Sequence, residues 1–164
     1  MKQLAMYING RFENDFNGEW RDVLNPSTEE TIAREPKGGR VDVDRAVAAA
    51  RAAQPAWERL PAVERGAYLR EIAQGIRERA DELTDTIVAE GGKTKDLARV
   101  EVMFTADYLD YQAEWARRYE GEIIQSDRPR ENILLFKRPL GVVAGILPWN
   151  FPFFLIARKM GPAL

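Results

Sequence analysis

The stretch GVVAGILPWNFPFFLIARK, from Gly141 to Lys159, decides how the chain is read. Gly141 to Leu147 is a short apolar run with two adjacent valines and an isoleucine, the pattern of a strand buried on both faces of a parallel sheet. The prolines then force a turn. Pro148 and Pro152 push the residues before them, Leu147 and Phe151, out of helical angles, and Pro152 itself suits the first position of a helix. Phe153 to Leu164 continues in helix-forming residues and carries two cations, Arg158 and Lys159. The unit reads strand, tight turn, helix.

This reading puts one polar side chain, Asn150, at the carboxyl end of a buried strand, where open α/β sheets hold their ligands. An asparagine carboxamide offers two N–H donors. Fixed at that place, they can stabilise charge developing on a carbonyl oxygen, the task of an oxyanion hole. The alternative is that Asn150 only completes the turn, since asparagine is a common turn residue.

Working outward, 164 residues suggest one domain able to bury roughly 70% of its unfolded surface. A formal net charge of −2 favours neither nucleic acid nor an anionic membrane. The chain has no cysteine and no histidine. It therefore supplies no disulfide, no thiolate, no imidazole base and no Cys or His ligand for zinc. Met1 to Ala5 lacks a signal-peptide pattern, so a cytoplasmic protein is expected. The apolar segment Gly141 to Ala157, with its Gly141 and Gly145 pair, also invites a membrane reading. Two prolines near its centre oppose that, because they break the helix that spanning requires.

Upstream, Tyr7-Ile8-Asn9-Gly10-Arg11-Phe12 alternates around an Asn-Gly pair, a strong hairpin signal. Trp20 to Leu24 reads as extended, Asn25 to Glu30 as a turn, and Thr31 to Arg34 as extended again. The helical part opens at Val41 to Ala53, where Val43, Ala46, Val47 and Ala50 share one apolar face; Trp57, after Pro55, is expected to plug the next junction. A second helix follows Pro61 and turns Leu69, Ile72, Ala73 and Ile76 to the core, with Arg70, Arg77, Glu78 and Arg79 outside. Leu83, Ile87 and Val88 continue it to a stop at Gly91-Gly92. A third long helix, about Lys95 to Tyr119, carries an aromatic stripe of Phe104, Tyr108, Tyr111 and Trp115. Glu101, Asp107, Asp110 and Glu114 surround that stripe and would repel phosphate, so core packing is expected rather than base stacking. Glu122 to Ile124 and Asn132 to Phe136 read as a strand pair whose exposed edges need a partner.

Pro148-Trp149-Asn150-Phe151-Pro152, preceded by Arg138-Pro139-Leu140-Gly141-Val142 and followed by Lys159, Gly161 and Pro162, resembles the aldehyde dehydrogenase superfamily. The opening strands and the Glu90-Gly91-Gly92-Lys93-Thr94 junction are similar to that family as well, Thr94 standing where a proline is usual. The resemblance implies an α/β fold of which this chain is the N-terminal part: short hairpins and a helical layer over 1–120, an oligomerisation strand arm over 121–140, and from 141 to 164 the first strand and helix of a Rossmann-like dinucleotide-binding sheet. It implies oxidation of an aldehyde to a carboxylate with NAD or NADP, through a cysteine thiolate, with a glutamate helping water release the acid. Asn150 matches the oxyanion-binding asparagine. Ile146, Leu147, Pro148 and Trp149 match positions against the dinucleotide, and Phe151, Leu155 and Arg158 match a face that lines the substrate tunnel; no metal is implied.

An arginine on that face can bind a carboxylate or an α-hydroxyl through its fork of donors, which suits the lactaldehyde and glycolaldehyde dehydrogenase subgroup; the alternative is a solvated cation late in a helix. By the same resemblance the intact protein is a homo-oligomer, a tetramer. The cysteine and the glutamate fall beyond the segment given, so these 164 residues are expected to be inactive alone and to associate. The competing reading is a short, non-catalytic interaction protein that pairs with a full-length relative.

Overall fold

The computed structural model describes residues 2–14 and 18–164. Its first strands are short: β1 (Lys2–Gln3), then β2 (Met6–Ile8) and β3 (Arg11–Glu13) as a hairpin. Asn9 and Gly10 both take positive φ, 52° and 77°, which is what a two-residue type I′ turn demands. Tyr7 and Phe12 face each other across this hairpin with ring centroids 5.0 Å apart. β4 (Trp20–Leu24) and β5 (Thr31–Pro36) pair antiparallel, and β1 joins β5 in parallel on its other edge. Between them Asn25 closes the expected turn, its Oδ1 accepting the Ser27 amide at 2.9 Å.

Among the described residues five α-helices form, four after β5 and the fifth near the C-terminus. α1 (Arg40–Arg59) runs straight through Pro55, beyond the Ala53 boundary that the sequence suggested. A proline removes only its own N–H, and the carbonyl it orphans belongs to exposed Arg51 near the helix end, where water can accept the duty. The apolar face read on α1 is not buried: Val43 is 60% exposed. Trp57 does pack at the next junction, 5.5 Å from the Tyr68 ring.

α2 (Ala62–Glu78), α3 (Ala80–Gly91), α4 (Lys95–Ala113) and α5 (Pro152–Ala163) form the core, with α4 touching each of the other three. α4 is followed by a 3₁₀ turn, Glu114–Arg117, rather than continuing as α-helix to Tyr119. Ala98, Val102, Ala106, Leu109 and Ala113 recur at three and four residues and are fully buried. The three alanines leave room for neighbouring helices to approach, and burying Leu109 alone contributes about 1.5–3 kcal/mol.

The aromatic stripe on α4 departs from the expected core role except at Tyr108, which packs against the buried cluster. Phe104 stays 52% exposed, and Tyr111 and Trp115 are also on the surface. The alanine-rich face takes the close packing, and the aromatic face is covered only where Phe154 of α5 reaches it, 4.6 Å from Phe104 and 5.5 Å from Tyr108. Nor is Arg77 merely outside: it ties α2 to α4 through Asp107 at 2.8 Å and Asp110 at 2.7 Å, and those acceptors hold its guanidinium further into the charged form than usual.

Gly92 ends α3 in the left-handed region at φ 64°, its N–H donating to the Val88 carbonyl at 3.0 Å. A Cβ there would meet Pro26 Cγ at 2.9 Å. Gly92→Ala is therefore expected to lower stability by about 1–2 kcal/mol, read as a shift of the urea midpoint. An unchanged midpoint would show that the turn relaxes away from Pro26.

β6 (Glu122–Gln125) and β7 (Asn132–Leu135) pair antiparallel as expected, but every residue of both is exposed. The strand read over Gly141 to Leu147 does not form; residues 137–148 have no regular structure. A parallel strand needs neighbours to take its N–H and C=O groups, and β6 and β7 bond only each other. Among the described residues no helix is long and apolar enough to cross a membrane.

Leu140, Ile146, Trp149 and the β6–β7 pair thus leave much apolar surface open. The 164-residue chain by itself is expected to associate, eluting ahead of a monomer in size-exclusion chromatography. A sharp monomer peak with cooperative melting would refute this.

Candidate active site at the start of helix α5

Pro152 opens α5 as expected, and Phe151 before it is non-helical at φ −137° and ψ 66°. The amides at this helix end are fully accounted for. Pro152 has no N–H, and the Leu155 amide donates to the Phe151 carbonyl at 3.0 Å. Those of Phe153 and Phe154, at 2.9 Å and 3.1 Å, donate to one carboxylate oxygen, Glu101 Oε1. Glu101 lies in the middle of α4 and is 1% exposed. A side chain from another helix therefore caps α5, because the residue at the cap position, Phe151, has no acceptor to offer.

The second oxygen of Glu101 pairs with Lys93 Nζ, whose side chain is 12% exposed. Lys93 stands just past Gly92, so the left-handed end of α3 aims it at α5. From there its Nζ donates to the Asn150 carbonyl oxygen at 3.0 Å and lies 3.8 Å from the Phe151 ring centroid. One partly buried cation thus gathers the two residues at the heart of the Pro148 to Pro152 turn. Two positive groups, an ammonium and a helix N-terminus, face one carboxylate, so the cluster is electrostatically complementary.

The sequence-predicted residues fall as follows. Asn150 is exposed, held through its carbonyl, and its carboxamide makes no hydrogen bond among the described residues. Phe151 is beside it, and Leu155 and Arg158 follow on the same outer face of α5, Leu155 half-buried and Arg158 exposed. Among the described residues no carboxylate lies within ion-pair distance of Arg158. Ile146 and Trp149 are 93% and 88% exposed, and Leu147 and Pro148 link them. Glu101 and Lys93 were not singled out from the sequence, where Glu101 was grouped with the acidic surroundings of the aromatic stripe. Its place between Ala98, Val102 and Thr105, on the buried face, is the signal that finds it. Among the described residues no group of three or more His, Cys, Asp or Glu side chains is placed to hold a metal.

Nothing here binds the phosphates of a dinucleotide at the start of α5, since Glu101 already occupies that helix end. What residues 146–149 do offer is exposed apolar surface and a backbone outside any regular structure.

A sequence profile of the aldehyde dehydrogenase family matches residues 13–164. Lactaldehyde dehydrogenase of Escherichia coli (strain K12) is 65% identical over 162 residues, covering 99% of this chain and 34% of that protein. The crystal structure of lactaldehyde dehydrogenase from Escherichia coli superposes with a TM-score of 0.95 over 98% of this chain and 34% of its own. That of PnpE in complex with nicotinamide adenine dinucleotide does so with a TM-score of 0.92 at 39% identity, over 99% of this chain and 33% of its own. The chain spans about a third of the length of these relatives, 34% of the first. With the family profile covering all but its first twelve residues, the chain belongs to the aldehyde dehydrogenase family.

Proposed function

We propose that these residues are the N-terminal third of an NAD(P)-dependent aldehyde dehydrogenase that oxidises a small hydroxyaldehyde, of the lactaldehyde or glycolaldehyde kind, to its carboxylate. The observation that carries this reading is Asn150: a carboxamide without a hydrogen-bond partner among the described residues, on a turn whose backbone is tied down by Lys93. In the family reaction a thiolate adds to the aldehyde carbon and the carbonyl electron pair moves onto oxygen. The Asn150 amide N–H donates to that oxygen and stabilises its charge most when the charge is fully developed. The thiolate and the base that activates water come from outside these residues, which contain no cysteine; the chain alone is inactive.

NAD(P), when bound, supplies the hydride acceptor. Ile146, Leu147, Pro148 and Trp149 hold part of it by apolar contact. Phe151 and Leu155 line the substrate side, and Arg158 reaches the hydroxyl of the aldehyde through its donors. The identity to the Escherichia coli lactaldehyde dehydrogenase supports this choice of substrate. The exposed β6–β7 pair supports a homo-oligomer, a tetramer in which neighbouring subunits cover the arm.

The test is the intact mass of the native polypeptide followed by an assay of that species. Since the chain covers 34% of such a relative, a species about three times heavier that reduces NAD(P) with lactaldehyde or glycolaldehyde is expected. A native species of 164 residues that co-purifies with a full-length relative would instead favour a non-catalytic interaction protein.

A further inference from the structure

The Lys93–Glu101 pair is buried where an apolar pair would serve stability as well or better. Removing two charges from water costs several kcal/mol per ion, and well-packed hydrophobic replacements are often neutral or stabilising. The pair must therefore be understood from what else it touches. One end of Glu101 fixes the first free amides of α5, and the other fixes Lys93. Lys93 in turn fixes the carbonyl of Asn150 and the ring of Phe151. Every polar atom in this chain of contacts ends on the backbone that carries the Asn150 carboxamide or on the helix that follows it. Phe151, the residue between them, cannot cap the helix, so without Glu101 the first amides of α5 have no side-chain acceptor.

We propose that Lys93 and Glu101 are positioning residues that hold the Asn150 carboxamide where the oxyanion forms. Neither touches the reacting atoms. The inference rests on Asn150 acting as the oxyanion donor, and it adds that the donor's place is set by a cation from the α3–α4 junction and a carboxylate from the middle of α4. Catalytic donors lose effect steeply when displaced, about 100-fold for an ångström, so a tether on the Asn150 carbonyl acts on rate rather than on binding.

The test is a double-mutant cycle in the full-length polypeptide. The paired change Lys93→Met with Glu101→Gln removes both charges together, leaves a Gln oxygen to accept the Phe153 and Phe154 amides, and deletes the hold on Asn150. Single-turnover formation of reduced NAD(P) at saturating aldehyde is read in the native and Asn150→Ala backgrounds. The paired change is expected to slow the reaction about 10-fold in the native background and less than about 2-fold once Asn150 is gone. Equal losses in both backgrounds would overturn the inference while leaving the role of Asn150 standing. An Asn150→Ala variant as fast as the native enzyme would remove the oxyanion reading and the inference with it. Should the paired change prevent folding, hydrogen exchange of the native enzyme decides. Amides of Phe153 and Phe154 as protected as the interior of α5 support the tether, and amides exchanging as freely as residues 120–121 overturn it.

Discussion

Asn150→Ala in the full-length polypeptide is expected to cut turnover about 100-fold or more, the loss of about 2.7 kcal/mol of transition-state stabilisation that follows removal of one oxyanion donor. The structure separates this from a folding defect. The Asn150 side chain is exposed and makes no hydrogen bond among the described residues, while its carbonyl, which alanine keeps, accepts from Lys93. Truncation should thus leave stability within about 0.5 kcal/mol. A carboxamide serving only the turn would give the opposite pattern, a loss of stability of about 1 kcal/mol with a normal rate. Rapid-quench measurement of the acylation step discriminates most sharply, because the oxyanion forms there; an unchanged acylation rate constant would refute the role. Asn150→Asp should be at least as slow, since it replaces a donor with a like charge facing the developing oxyanion.

The features written in local chemistry were legible in the sequence. Asn9-Gly10 fixes a hairpin and Gly92 stops a helix because they tolerate positive φ, and Pro152 starts a helix because its φ is already set. Non-local features were not. The apolar run from Gly141 to Leu147 has the composition of a buried strand, but strand formation depends on partners, and the described residues provide none. α1 passes through Pro55 because a single lost hydrogen bond near a helix end is tolerated where water replaces it. The aromatic stripe of α4 looked like the stronger hydrophobic face, yet the core formed on the alanine and leucine face, where helices come closer. Of the candidate site, the turn that carries Asn150 and the start of α5 at Pro152 were legible from one pentapeptide. Glu101 and Lys93 were not, since their meaning arises only when α4 and the α3–α4 junction meet the start of α5, 52 and 57 positions along the chain.

That meeting sets the second large effect. Lys93→Met alone is expected to cost about 3–5 kcal/mol of stability, because it leaves the Glu101 carboxylate buried without its cation. The two α5 amides and the helix dipole still face Glu101 and compensate in part, which places the expected loss toward the lower end of that range. Adding Glu101→Gln should restore most of it, since the stranded charge disappears while the cap on α5 survives. This recovery is opposite to what two independently destabilising core substitutions would do, where losses add. Denaturant midpoints of the two single variants and the double variant give the coupling directly. If the double variant is less stable than Lys93→Met, the stability of this junction comes from packing of the two side chains rather than from their charges. If it is more stable than Lys93→Met by several kcal/mol while the reaction remains slowed, the pair contributes position at the expense of nothing the fold requires, and its two charges are present for the Asn150 turn.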